Sequence, residues 1–136
     1  LIIPPFSNEK YIREVTFPAV ERGLAKSGHS RENFEITYSP FIVSGQDENA
    51  FDAEKAAARA RISFYASTPA YKGVLGVHGW GDLQPELNTM SKQGLWQDMA
   101  GLITDDMLNA FGVMGEPGMV VGEMKKRYGD FTDRTG

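Results

Sequence analysis

The feature that most constrains the fold is the apolar run Leu1, Ile2 and Ile3, which is followed at once by Pro4 and Pro5. A run that is apolar on both faces is typical of a strand in a parallel sheet that helices cover on both sides. The two prolines cannot donate to a sheet ladder, so they end the strand. The sequence therefore predicts a buried parallel strand at residues 1–3.

The next segments alternate between helical and strand-like patterns. Ser7 is the expected N-cap of a first helix, whose apolar stripe runs toward Gly28 and which Pro18 should kink. Residues 34–43 are rich in aromatic and β-branched side chains and predict a strand that Pro40 interrupts. Asp47 is the expected N-cap of an amphipathic helix that runs to Ala66. Its predicted apolar stripe is Ala50, Ala53, Ala57, Ala60 and Phe64, with Phe51, Ala58, Ile62 and Tyr65 beside it.

Beyond Thr68 the glycine-rich chain predicts short helices joined by turns. Thr104 should cap one of them, Pro117 should begin the last one, and Phe131 should begin another strand. The order of elements is that of a parallel α/β protein. About three strands cannot close an eight-stranded barrel, whose usual length is about 250 residues. We therefore expect one incomplete domain over residues 1–136, cut at both ends, with its missing strands supplied by a longer chain or by other copies.

Charge and composition exclude several function classes. The formal net charge is -4 and the 14 Lys and Arg residues are scattered, which argues against a nucleic-acid partner. The chain has no Cys, so it forms neither disulfides nor thiolate metal sites. We predict no metal, because His29 and His78 lack further ligands at suitable spacing. No segment has the length and composition of a membrane span or a signal peptide, and we expect a cytoplasmic protein.

Two segments are candidate binding sites. Tyr65, Ser67, Thr68 and Tyr71 lie around a helix break, where tyrosine offers a flat apolar face and a hydroxyl to an aromatic ligand. The alternative is that both tyrosines only pack in the core. The loop with Pro5 and Phe6 follows the first strand, and parallel α/β proteins bind ligands at the carboxyl ends of strands.

Three stretches together resemble the C-terminal half of bacterial luciferase-like monooxygenases, and they are nearest to the branch of coenzyme F-420-dependent oxidoreductases. They read LIIPPFSNEKYIREVTFPAVERGLAKSG, ISFYASTPAYKGVLGVHGWGDL and FGVMGEPGMVVGEMKKRYGDFTDR. The resemblance implies the C-terminal strands and helices of a TIM (β/α)8 barrel. It also implies coenzyme F-420, or alternatively flavin mononucleotide (FMN), as the cofactor for hydride transfer or monooxygenation of a small organic substrate.

The resemblance further implies that Pro5 and Phe6 lie near the cofactor ring and that Tyr65, Ser67, Thr68 and Tyr71 line the substrate side. It names no general base here, and the family's N-terminal strands, which carry much of the cofactor pocket, are absent. Two kinds of partner are therefore expected: a missing N-terminal half of the same chain, or further copies in a homo-oligomer. The alternative is a truncated, non-catalytic α/β domain that oligomerises or binds a ligand.

Overall fold

A computed structural model describes residues 1–135 of the chain. Its five strands are β1 (Ile2–Ile3), β2 (Thr37–Tyr38), β3 (Phe41–Val43), β4 (Gly112–Met114) and β5 (Arg134–Thr135). Its α-helices are α1 (Glu9–Tyr11), α2 (Phe17–Ser27), α3 (Glu48–Ala66), α4 (Lys72–Gly76), α5 (Leu83–Lys92), α6 (Trp96–Gly101), α7 (Asp105–Phe111) and α8 (Pro117–Tyr128). A π-helical turn (Ile12–Thr16) joins α1 to α2, and 3-10 turns lie at Arg31–Asn33 and Pro69–Tyr71.

All strand pairs are parallel, as the sequence predicts. One sheet has the order β1-β2-β5, with Ile3 opposite Tyr38, and the other pairs β3 with β4, with Ile42 opposite Val113. Ser39 and Pro40 separate β2 from β3 and divide the predicted strand into two halves with different partners. The five described strands form no closed barrel.

The first helix begins one residue later than predicted. Asn8, not Ser7, is its N-cap, and the Asn8 Oδ1 atom accepts a hydrogen bond of 2.9 Å from the Tyr11 N–H. Ser7 is still part of the preceding turn, because its own N–H donates to the Pro5 carbonyl. The expected irregularity near Pro18 is present as the π-helical turn at Ile12–Thr16, just before the turn that holds the proline.

The predicted cap of α3 is confirmed, but only part of the predicted apolar stripe is buried. Asp47 Oδ1 accepts a bond of 2.8 Å from the Ala50 N–H. Ala53, Ala57, Ala60 and Phe64 are exposed, and Phe64 keeps 56% of its surface accessible. Because alanine buries little apolar area, the larger side chains decide which face turns inward. The buried or half-buried stripe consists of Phe51, Ala58, Ile62, Tyr65 and Ala66.

Two further strand predictions need correction. Phe131 does not begin a strand: it is buried in a turn, and β5 starts at Arg134. The sequence also gave no signal for β4, since this strand follows α7 without any intervening loop residue. Gly112 makes that junction possible, because a Cβ atom there would lie 2.9 Å from the Leu108 carbonyl oxygen.

The chain has two hydrophobic cores. The helical core packs α3 to α7 against β3 and includes Phe6, Ile62, Leu75 and Phe111. The strand core includes Ile3, Ile12, Tyr38, Val113 and Tyr128. β1 and the turn after it join the two, since Ile3 lies in one core and Phe6 in the other. No helix within residues 1–135 combines the length and the apolar character that crossing a membrane requires.

Candidate functional site

The candidate site lies at the carboxyl end of β1. Pro4 and Pro5 are exposed there, whereas Phe6 and Ser7 turn into the protein. The turn is fixed from both sides: the Ser7 N–H donates to the Pro5 carbonyl at 3.0 Å, and the Tyr38 hydroxyl donates to the Ser7 carbonyl at 3.0 Å. These bonds tie the position of residues 5–7 to β2.

Four rings, which we call the aromatic cluster, surround this turn: Phe6, Tyr65, Tyr71 and Phe111. The Phe6 ring stacks on Phe111 with centroids 4.5 Å apart and on Tyr65 at 5.7 Å, and it meets the edge of Tyr71 at 4.9 Å. Offset stacks and edge-on contacts of this kind add stability beyond the buried area. The cluster therefore holds α3, the Pro69–Tyr71 turn and α7 together beside the end of β1.

The structure brings some of the predicted site residues together and separates others. Phe6, Tyr65 and Tyr71 are in mutual contact, with Phe6 fully buried and both tyrosines partly exposed. Ser67 is buried and acts in the fold: its hydroxyl donates to the Phe64 carbonyl, and its own carbonyl accepts bonds from Gln84 and Asn88.

The other two predicted residues, Pro5 and Thr68, are exposed on the surface. Their roles stay predictions, as do those of Phe6, Tyr65, Ser67 and Tyr71.

A cavity of about 230 Å³ adjoins the aromatic cluster. Its lining includes Ile3, Phe6, Ser7, Thr16, Tyr71 and Val74. Among the described residues, the buried Ser7 Oγ atom has no hydrogen-bond partner. The cavity thus combines mainly apolar residues with the hydroxyl-bearing side chains of Thr16 and Tyr71.

Sequence reasoning missed Asn8, which connects this turn to the glycine-rich segment. Its side chain is fully buried, its Nδ2 donates to the Val74 carbonyl at 3.0 Å, and its Oδ1 lies 3.2 Å from His78 Nε2. The His78 ring stacks on Trp80 with centroids 4.4 Å apart. Because Oδ1 only accepts, we assign the proton of the neutral ring to Nε2. The N-x-x-Y spacing was the available signal, since an Asn at an N-cap bonds the backbone N–H three residues on.

Burial lowers the pKa of His78, because the charged imidazolium loses hydration. The positive charge of Lys10 lowers it further, and Glu14 opposes both effects. His78 shares a cleft of about 600 Å³ with charged side chains, among them Glu9, Arg13 and Arg127. Arg13 binds both carboxylate oxygens of Asp130, at 2.7 and 3.0 Å, and lowers the pKa of that carboxyl. This pairing fastens the first helical segment to the end of α8.

A third concavity, of about 750 Å³, lies at the carboxyl ends of β3 and β4 and at the start of α3 and α8. Gly45 allows the close approach there, since a Cβ atom would lie 2.3 Å from the Phe51 nitrogen. The lining carries the carboxylates Asp47, Glu48 and Glu116, and within the described residues it includes no basic side chain. Within residues 1–135, no group of three or more His, Asp or Glu residues is arranged to hold a metal ion.

Comparison with known proteins decides the family. The sequence profile described as luciferase-like monooxygenase matches residues 2–134. The chain belongs to the luciferase-like monooxygenase family. An uncharacterised protein of Mycobacterium tuberculosis (strain H37Rv) is 45% identical over 130 residues, which are 96% of this chain and 38% of that protein.

Two reductases are also similar to this luciferase-like chain. The 5,10-methylenetetrahydromethanopterin reductase of Archaeoglobus fulgidus is 30% identical over 115 residues, which are 79% of the chain and 33% of that enzyme. The solved structure of the coenzyme F-420-dependent tetrahydromethanopterin reductase from Methanopyrus kandleri superposes with a TM-score of 0.73 at 23% identity, covering 95% of the chain and 36% of that protein. The likeness confirms the fold class, part of a TIM barrel. The chain spans less than two fifths of the length of each of these proteins.

Proposed function

We propose that this chain is part of an oxidoreductase that uses coenzyme F-420, with FMN as the alternative, for hydride transfer or monooxygenation of a small organic substrate. Family membership and the two similar reductases support this proposal. The observation that carries it is the position of the aromatic cluster at the carboxyl end of a parallel strand, where barrel enzymes place their ligands.

The described residues fit one part of such a cofactor. Exposed Pro5 and partly exposed Tyr71 offer neutral, flat surfaces against which a tricyclic ring can pack. Phe6 has no exposed surface, so it supports Tyr71 from behind and does not itself touch the ring. The cofactor phosphate does not fit the concavity at β3 and β4, because the carboxylates Asp47, Glu48 and Glu116 would repel it. We therefore propose that the cofactor phosphate binds somewhere other than this concavity.

The work of this chain is to position the ring and to shield it from water. When bound, the cofactor supplies or accepts the hydride. Tyr65 and Tyr71 cover the mouth of the site on the substrate side, and Ser67 fixes the helix end that carries Tyr65. Thr68 is exposed at the rim, where its hydroxyl is free to face the substrate.

Binding of each cofactor tests the proposal. F-420 and FMN are titrated, with ring fluorescence as the readout, into the chain and into the chain co-expressed with the part of the M. tuberculosis relative that lies outside the match. We expect F-420 to bind more tightly than FMN, and Tyr71→Ala to weaken binding at least roughly fivefold, as expected for one lost aromatic contact. Phe64→Ala, which removes an exposed ring on α3, is the matched control and should leave binding unchanged. If neither protein binds either cofactor, the proposal is wrong.

A second candidate function is a non-catalytic α/β module that assembles through β1. Among the described strands β1 pairs only with β2, and Ile2 keeps 79% of its surface exposed. An unpaired strand edge with an exposed isoleucine favours pairing with another chain. Light scattering distinguishes the partners: a stable homo-oligomer that binds no cofactor supports this second function, and a monomer that associates only with the co-expressed barrel segment supports the first.

A further inference from the structure

We infer that two copies of this chain dimerise through the exposed face of α3, with the two helices antiparallel about a two-fold axis beside Ala57. This face lies on the opposite side of α3 from the buried Ala58 and Ile62, so dimerisation leaves the helical core unchanged. The inference does not rest on the proposed function, because it requires neither a cofactor nor a separate barrel segment.

The exposed face of α3 is apolar. Ala53, Ala57, Ala60 and Phe64, which we call the outer stripe, share one side of the helix and are all exposed. Trp96 at the start of α6 extends this surface: its ring centroid lies 6.2 Å from that of Phe64, and Trp96 is 50% and Phe64 56% exposed. Exposed alanines are common because alanine favours helix formation. Two adjoining exposed aromatic rings have no such explanation and indicate an interaction surface.

The order of charges along α3 indicates that the partner is a second copy of the same helix. Every acidic residue of α3 precedes every basic one. The acidic residues are Glu48, Asp52 and Glu54, and the basic residues are Lys55, Arg59 and Arg61. A parallel pair of α3 helices would place like charges side by side, whereas an antiparallel pair places the acidic half of each helix against the basic half of the other. The helix dipoles also favour the antiparallel arrangement.

One ion pair defines the register of the two helices. Glu54 and Arg61 lie on the same flank of the outer stripe, since Arg61 approaches Glu54 to 3.7 Å, and both side chains are about half exposed. A two-fold axis midway between residues 57 and 58 brings Glu54 of each copy level with Arg61 of the other, on that same flank. Two symmetry-related ion pairs then border the interface, and the small side chain of Ala57 lets the helix axes approach to about 8 Å.

Exchanging the two charges tests the pairing between copies. Sedimentation velocity at concentrations up to roughly 0.5 mM measures the dimer, which should be weak because one helix pair is smaller than a standard interface. Glu54→Arg and Arg61→Glu should each weaken dimerisation at least roughly tenfold, because each sets like charges opposite one another in both pairs. An equimolar mixture of the two variants should dimerise as tightly as the original chain, since the heterodimer restores both ion pairs. The contact between Glu54 and Arg61 within one chain cannot produce this rescue.

Disulfide formation tests the register directly, because the chain has no Cys of its own. Ala57→Cys should form a covalent dimer under mild oxidation, since the two copies of this position lie beside the axis, within the roughly 7 Å that a disulfide requires. Ala53→Cys is the matched control on the same stripe. It should form little covalent dimer, because antiparallel helices place its two copies about 14 Å apart along the helix.

Ala57→Arg separates this interface from other ways of covering the same face. Because Ala57 is exposed, the variant should fold as the original chain does and should be monomeric. Ala25→Arg, at an exposed position of α2, is the matched control and should still dimerise. A dimer that persists in Ala57→Arg would be assembled elsewhere, for example through β1, and would overturn the inference.

Three further results would also overturn the inference. They are a chain that stays monomeric at the highest concentration, a mixture of Glu54→Arg and Arg61→Glu that does not dimerise, and equal cross-linking of Ala53→Cys and Ala57→Cys. If Ala57→Arg instead blocks association with the co-expressed barrel segment, the face is covered by that segment and not by a second copy. Cofactor binding is measured in Ala57→Arg as well, so this inference and the proposed function fail separately.

Discussion

Two buried tyrosines of the strand core differ in what their hydroxyls do. Tyr38 and Tyr128 meet edge to face with centroids 5.0 Å apart, and both are fully buried. The Tyr38 hydroxyl donates to Ser7, whereas among the described residues the Tyr128 hydroxyl has no partner. Tyr38→Phe should therefore lower the free energy of unfolding by about 1–2 kcal/mol, and Tyr128→Phe should leave it unchanged or raise it. Urea denaturation of both variants measures the difference, and equal losses would contradict the assignment.

The burial of His78 predicts the sign of a pH dependence in the stability of the chain. The pKa of His78 in the folded chain lies below the ordinary value of 6.5. At a pH between the folded-state pKa and 6.5, the unfolded chain therefore binds more protons than the folded chain. The stabilisation is complete above pH 6.5 and is lost as the pH falls below it. From pH 7.5 to 5.5 the original chain should lose free energy of unfolding relative to His78→Gln. Denaturation at both pH values measures the difference in free energy of unfolding between the original chain and His78→Gln. The titration of all other groups cancels from this difference. The same difference at both pH values would exclude the effect.

At the scale of elements, the turn between β3 and α3 depends on one glycine. A Cβ atom at Gly45 would lie 2.3 to 2.8 Å from backbone atoms of Ala50 and Phe51, so the first turn of α3 would have to move. Gly45→Ala should cost about 3 kcal/mol or more. Gly23→Ala is the matched control: it lies in α2 with no neighbour within 4 Å of the new Cβ atom, and it should stabilise by about 0.5–1 kcal/mol. Thermal and urea unfolding measure both, and similar effects at the two positions would refute this account.

The same elements show how far a sequence predicts local structure. Asp47 and Pro117 were identified correctly because helix caps and first-turn prolines act through bonds within a few residues. The buried face of α3 was identified only in part, since its alanines are compatible with either face and only contacts with distant helices select one. β4 was missed for a related reason: a three-residue strand has no periodicity of its own, and its partner β3 is about 70 residues away in sequence.

At the scale of the whole molecule, the parallel α/β class and the barrel relationship were predictable from the order of elements and the family resemblance. The arrangement of the strands was not. Pro40 was expected to interrupt one strand, but the sequence does not reveal that β2 then pairs with β1 and β5 while β3 pairs with β4. For the candidate site, Phe6, Tyr65 and Tyr71 were found from residue type and position. Asn8 was not, because its bonds to Val74 and His78 join segments that are far apart in sequence.

The joined cores predict that the chain unfolds as one cooperative unit. Both tryptophans, Trp80 and Trp96, belong to the helical half, so their fluorescence reports directly on that half alone. Ile12 is fully buried in the strand core, and Ile12→Ala should cost about 2–5 kcal/mol. If β1 and the bonds of Asn8 couple the two cores, Ile12→Ala lowers the urea midpoint equally whether unfolding is followed by tryptophan fluorescence or by circular dichroism. Ile62→Ala, in the helical core, is the matched control and should shift both readouts equally. A fluorescence midpoint that Ile12→Ala leaves in place would mean that the strand half and the helical half unfold independently.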